Sequence, residues 1–191
     1  GAVFGLNAGW EHPLWFADAP GTEDTNGFAR QNWFEPVGRE AAMLRDAVGV
    51  IDISNFGKYE VTGPGAGDWL DALVANHVPR EIGKSCLTPL IGMRGGVAGD
   101  FTITMTGDES YMMIGSGMAE RYHRRFFDMV PLPDGTGFEV ATPRIAGFNV
   151  AGPRSREMLT GLTEADLSNE GWRFMRCLLY TSPSPRDSSE S

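Results

Sequence analysis

Residue patterning in this chain predicts an α+β architecture, with antiparallel sheets and duplicated strand–turn–helix units. The first support is a hairpin signature. Leu87, Leu90 and Ile91 are apolar, and Phe101-Thr102-Ile103-Thr104-Met105-Thr106 alternates apolar and hydroxyl residues, so 86–91 and 101–106 read as paired strands. Arg94-Gly95-Gly96 between them supplies the φ > 0 freedom of a tight turn. The second support is a repeat. Val61-Thr62-Gly63-Pro64 is followed by Trp69-Leu70 and Leu73, and Val150-Ala151-Gly152-Pro153 by Met158-Leu159 and Leu162, at identical offsets. Glycine ends the strand, and proline enters the first helical turn, where its missing N–H costs nothing. Third, strands alternate with helices while hairpin-like pairs also occur, a mixture that favours α+β over a doubly wound parallel sheet.

Taken in order, residues 1–32 show neither helical nor strand period, yet hold the large apolar residues Trp10, Trp15, Phe16 and Phe28, with Trp33 next. Aromatic side chains in loop-like sequence need a surface to bury against, so this segment is expected to pack along a neighbouring domain. Val37–Val48 reads as a helix with Met43, Leu44 and Ala47 on one face, closed by Gly49. Val50–Ile53 is a short apolar run, Ser54-Asn55-Phe56-Gly57 a turn, and Lys58–Thr62 a strand. After the central hairpin, Tyr111–Ile114 is a buried strand, Met118–Val130 a helix, Pro131–Gly137 a loop and Phe138–Ala141 a strand. Trp172, Phe174 and Met175 read as a helical, core-like segment. Residues 178–191, LLYTSPSPRDSSES, are Ser/Pro-rich and are expected to be an unstructured tail resembling translated sequencing-adapter read-through.

Composition narrows the function classes. The chain has 191 residues and a net charge of −9, which argues against non-specific nucleic-acid binding, since that requires basic patches. No apolar run approaches the roughly 18 residues of a membrane span. The N-terminal stretch has no charged segment followed by an apolar one, and a chain beginning at Gly1 reads as cut from a longer polypeptide. Cys86 and Cys177 give no disulfide framework and fit a reducing compartment, and His12, His77 and His123 lack metal-ligand spacing.

Two glycine clusters imitate a nucleotide loop without meeting its spacing. Gly63-Pro64-Gly65-Ala66-Gly67 brings its third glycine one place early, with Asp68 beside it, and Gly115-Ser116-Gly117 has Glu120 where the third belongs. No GxxxxGK[ST] or GxSxG motif occurs. What remains is Asp100, at a strand–turn junction behind Gly95, Gly96, Ala98 and Gly99, where a flat ligand could approach the backbone closely. The same carboxylate also suits a solvated turn.

Several motifs, in order, resemble the folate-binding, glycine-cleavage T-protein-like region of the dimethylglycine and sarcosine dehydrogenase family. NAGWEHPLWF (Asn7–Phe16) resembles the connector after the flavin domain of those enzymes, and FARQNWFEPVGRE (Phe28–Glu40) the segment entering the folate domain. VIDISNFGKYEVTGP (Val50–Pro64) is similar to the family's Asp-x-Ser…Phe-Gly-Lys strand, RGGVAGDFTIT (Arg94–Thr104) to the turn bearing its catalytic carboxylate, and YMMIGSG (Tyr111–Gly117) to the following strand. The chain departs at Leu87, where many members have tyrosine, and lacks both the flavin domain and the later strand bearing a pterin-gripping glutamate.

The resemblance implies the N-terminal part of an aminomethyltransferase folate-binding fold at 33–177, preceded at 1–32 by a connector from a missing FAD-dependent domain. It implies Asp100 as the catalytic carboxylate, with Leu87, Gly95, Gly96, Val97, Met113 and Ser116 around tetrahydrofolate, and no metal. FAD in the missing domain would oxidise a small N-methylated amine, and tetrahydrofolate would capture the one-carbon unit as 5,10-methylene-tetrahydrofolate. Asp100 would act by proton transfer or by electrostatics. The fragment alone is expected to be inactive in amine oxidation, with no nucleic-acid or membrane partner. Its expected place is the bacterial cytoplasm, or the mitochondrial matrix in a eukaryote. The alternatives are a stand-alone aminomethyltransferase and a folate-binding module without turnover.

Overall fold

A computed structural model describes residues 1–7 and 9–179, which form two compact units. The first comprises Gly1–Ile51 and Val150–Leu159. It opens with a hairpin of β1 (Ala2–Asn7) and β2 (Trp10–Phe16), followed by α1 (Phe34–Asp46) and β3 (Gly49–Asp52). Val3 and Trp15 are cross-strand partners and are buried together with Ala17, and Val37 of α1 packs against them. The hairpin corrects the loop-like expectation for this stretch. A bulge between Val3 and Phe4 shifts the register, and Phe4, Leu6, Leu14 and Phe16 are exposed apolar residues, so no clean polar–apolar alternation reaches the sequence. Helix α1 begins at Phe34, three residues before the expected start, with Pro36 in its first turn. Late in the chain, β9 (Phe148–Ala151) pairs with β3, and α4 (Ser155–Thr160) follows.

The second unit comprises Asp52–Asn149 and the chain from Thr160. Its strands are β4 (Gly57–Thr62), β5 (Ser85–Ile91), β6 (Val97–Gly107), β7 (Ser110–Gly115) and β8 (Gly137–Val140), with α2 (Ala66–Leu73) and α3 (Glu120–Phe127) as its helices. The strands form an antiparallel sheet in the order β5-β6-β7-β4-β8. One face meets the helices through Tyr59, Val61, Trp69, Leu70, Phe101, Ile103, Met113 and Phe127, all buried. The pleat sends Asp100, Thr102 and Ile114 to the opposite face. Of the helix expected at 118–130, only 120–127 is α-helical, entered through a 3₁₀ turn at Gly117–Ala119.

The two Gly-Pro units share their local geometry. Gly63 and Gly152 have φ of +106° and +118°, and the amides of Ala66 and Ser155 donate to the carbonyls of Gly63 and Gly152, each at 3.1 Å. Their surroundings differ. β4 is internal to the five-stranded sheet with Trp69, Leu70 and Leu73 buried behind it, whereas β9 belongs to a two-stranded sheet and Leu162 is 63% exposed. The duplication therefore holds for the strand–turn–helix unit and not for the sheet around it.

The segment expected to be helical near Trp172 consists of turns, because Trp172 Nε1 donates to the Arg176 carbonyl (2.7 Å) and Met175 adopts φ +58°. Phe174 is 93% exposed, so it is no core residue. The segment is tied down by Cys177 N–H to Gly83 O (2.6 Å) and by the Arg176–Glu81 ion pair (2.6 Å). The tail expectation for residues 180–191 lies outside the described residues. Among the described residues, no helix is long and apolar enough to cross a membrane.

Candidate functional site

The register of three strands builds a floor. Leu87 of β5 faces Thr102 of β6, and Thr102 faces Ile114 of β7, so the three side chains form one row across the sheet. One step along β6, Asp100 stands opposite Pro89, and continuing the β6–β7 register places Ser116 on its other side. Over this floor lies an open hollow of about 310 Å³, walled by Asn55 and Phe56 on one side and by Gly117 and Met118 on another. Its surface is apolar along Leu87, Ile114, Phe56 and Met118, with a single carboxylate, Asp100, facing into it.

The Asn55–Phe56 wall is fixed by the motif Asp52-x-Ser54…Phe56-Gly57-Lys58. Asp52 accepts the Ser54 amide (2.7 Å), and the bonds from Ser54 hold its carboxyl below the usual carboxylate range. Ser54 Oγ accepts the Gly147 amide (3.1 Å). Lys58 is 3% exposed, and its ammonium donates to the carbonyls of Ser54 (2.9 Å) and Phe56 (3.0 Å). Bonding to two carbonyls satisfies the buried donor, and here it clamps both ends of the wall. Thr142 Oγ1 accepts the Lys58 amide (2.9 Å) and donates to Glu120 (2.5 Å), joining the clamp to α3. Gly117 closes against the same wall. A Cβ there would fall 1.5 Å from the Asn55 carbonyl oxygen, so only glycine fits.

Of the residues expected from sequence, Asp100, Leu87 and Ser116 come together in this hollow. Gly95, Gly96 and Val97 do not line it. Gly95 lies in the β5–β6 turn with φ +79°, while Gly96 and Val97 line a separate hollow of about 320 Å³ with Met93, Tyr122, Phe126 and Met129. Met113 is fully buried in the core, because alternation along β7 turns it to the helix side and presents Ile114 instead. Asn55, Phe56, Thr102, Ile114 and Met118 were missed. Stepping by two from Asp100, and by cross-strand pairing from Thr102, identifies Thr102 and Ile114; the wall residues carry no periodic signal.

The chain matches the family described as the GCVT N-terminal domain over residues 1–181. It is 34% identical to mouse mitochondrial dimethylglycine dehydrogenase over 90% of its own length, and spans only a fifth (20%) of that relative. It is 29% identical to an aminomethyltransferase of Thermus thermophilus, covering 77% of this chain and 42% of that one. The solved glycine cleavage system aminomethyltransferase T from Bartonella henselae superposes with a TM-score of 0.68 at 21% identity, over 92% of this chain and 43% of the other. That likeness establishes the fold, mixed helix and antiparallel sheet.

Proposed function

We infer, because this chain belongs to the GCVT N-terminal domain family, that the hollow receives tetrahydrofolate and that Asp100 assists transfer of a one-carbon unit to it. The observation that carries the reading is the lone carboxylate at the edge of an apolar hollow floored by Leu87, Thr102 and Ile114. Those residues fit a flat, nitrogen-rich ring. Apolar side chains cover its faces, and a carboxylate meets nitrogens that are protonated or become so. When bound, tetrahydrofolate supplies the amines that carry the one-carbon unit away as 5,10-methylene-tetrahydrofolate.

The chain's own residues have three tasks. Leu87, Phe56 and Met118 exclude water from the ring faces, and Ser116 offers a hydroxyl beside the carboxylate. An amine nitrogen that attacks an electrophilic carbon becomes positively charged, and Asp100, on the inner strand β6 held between β5 and β7, stabilises that charge and is placed to take its proton. The preceding oxidation of an N-methylated amine belongs to a flavin held in another part of a longer polypeptide, consistent with a chain that spans a fifth (20%) of the dehydrogenases it matches. The setting is then the bacterial cytoplasm or the mitochondrial matrix; the mouse relative's name says mitochondrial.

A second reading, a stand-alone aminomethyltransferase, is favoured by the Thermus relative. The dehydrogenase reading is preferred because its match extends over 90% of the chain against 77%. Equilibrium titration with tetrahydrofolate tests the site itself. Saturable binding that is abolished by Thr102→Phe, which fills the hollow from its floor, supports the reading; binding unchanged in that variant removes it. Supplying dimethylglycine or an aminomethyl-lipoyl donor to the complete polypeptide then separates the two enzymes.

A further inference from the structure

Behind Asp100, on the core face of the sheet, one histidine touches both of its chain neighbours. His123 of α3 is 1% exposed. Its ring stands edge-on to Phe101 with centroids 4.7 Å apart, and Nδ1 lies 3.4 Å from the Tyr59 hydroxyl. On the Gly99 side, a Cβ would fall 2.5 Å from His123 Nε2. Gly99 is not among the residues with positive φ, so glycine is needed there for space and not for torsion. The imidazole occupies the volume that any other residue at 99 would fill.

We propose that His123 is a positioning residue for Asp100, wedged between the Tyr59 hydroxyl, the Phe101 ring and the Gly99 backbone so that β6 holds the carboxylate out into the hollow. The assignment rests on the functional reading above for the importance of Asp100, but the wedge and its charge coupling are properties of the fold. The titratable groups facing the imidazole are Tyr59 from β4 and Asp100 from β6, with Glu120 and Tyr122 on its own helix. Burial, then the Glu120 charge, pushes the Tyr59 phenol well above its ordinary value, so it stays protonated and can donate to Nδ1, leaving Nε2–H directed at Gly99. Burial lowers the His123 pKa, while the Asp100 charge opposes that shift. The neutral ring is therefore sensitive to whether Asp100 is charged.

The chain has three histidines, so ring-proton NMR of the ¹³C-histidine-labelled 191-residue chain resolves each titration, and loss of one resonance in His123→Gln assigns it. In Asp100→Asn, which removes the charge that favours the protonated ring, His123 is expected to titrate lower than in the parent. Asp100 is exposed, so this variant leaves the fold intact. A His123 midpoint that does not move overturns the coupling. The wedge is tested by thermal melting of Gly99→Ala, His123→Ala and the double variant. The added methyl enters the space the ring leaves, so the double variant is expected to melt above Gly99→Ala; strictly additive losses overturn the wedge. In the complete polypeptide, His123→Gln should lower kcat for one-carbon capture about tenfold with KM for tetrahydrofolate within twofold. A rise in KM alone assigns His123 to the binding surface and overturns positioning. If Asp100→Asn proves fully active while its NMR effect on His123 is present, the functional reading fails and the coupling stands.

Discussion

Replacing Lys58 by methionine tests how the hollow's wall is built. The substitution keeps the volume and removes the ammonium that bonds the carbonyls of Ser54 and Phe56 at 2.9 and 3.0 Å. Two part-buried carbonyls then lose their donor, at about 1–3 kcal/mol each at most, while the cost of burying a charge is recovered. The net expectation is a loss of about 2–3 kcal/mol, a fall in Tm of roughly 5–10 °C for a unit of this size. Urea unfolding of parent and variant measures the first figure and calorimetry the second. The same variant should weaken tetrahydrofolate binding at least fivefold, since Asn55 and Phe56 are no longer held against the floor. Unfolding within about 0.5 kcal/mol of the parent, together with unchanged folate affinity, would refute the clamp.

Three further outcomes are expected. Leu87→Tyr places an aromatic face over the floor where leucine is 61% exposed, and should tighten tetrahydrofolate by about 0.5–1.5 kcal/mol in a binding titration. Gly117→Ala should cost about 1–3 kcal/mol in denaturant unfolding and weaken folate, because the new methyl must displace the Asn55 carbonyl. For pH, the native His123 pKa lies below its unfolded value of 6.5, so the unfolded chain binds more protons in between; stability is full above about pH 6.5 and falls as pH drops through the window. Melting temperature against pH should lose this slope in His123→Gln.

The strand–helix skeleton was legible because its signals are local. The alternation from Phe101 to Thr106 reports a sheet with one buried face, and the Gly-Pro units report a turn and helix start that any surroundings would accept. The N-terminal hairpin was hidden for the opposite reason. With Phe4, Leu6, Leu14 and Phe16 exposed, its apolar pattern answers to no face of its own core. At the site, Asp100 and Leu87 were visible as a carboxylate after a turn and an apolar strand residue. Met113 lies one step of the pleat from the hollow, in the core, and Gly96 and Val97 line a separate hollow. Lys58 and His123 were invisible as organisers, since a lysine in a strand and a histidine in a helix ordinarily face solvent. Their burial depends on partners far along the chain: Thr142 for Lys58, and Tyr59 and Gly99 for His123.

Whether Asp100 serves one-carbon capture is decided by Asp100→Asn in the complete polypeptide, following substrate oxidation, formaldehyde and 5,10-methylene-tetrahydrofolate together. The side chain keeps its size at an exposed strand position, so the fold and the rate of amine oxidation should be unchanged. Methylene-tetrahydrofolate should fall roughly a hundredfold or more, with formaldehyde released in its place. Asp68→Ala serves as the control, because that carboxylate is 82% exposed and pairs with Arg80 at the surface. If Asp100→Asn forms methylene-tetrahydrofolate at the parent rate, Asp100 is only a solvated strand residue and the assignment is wrong.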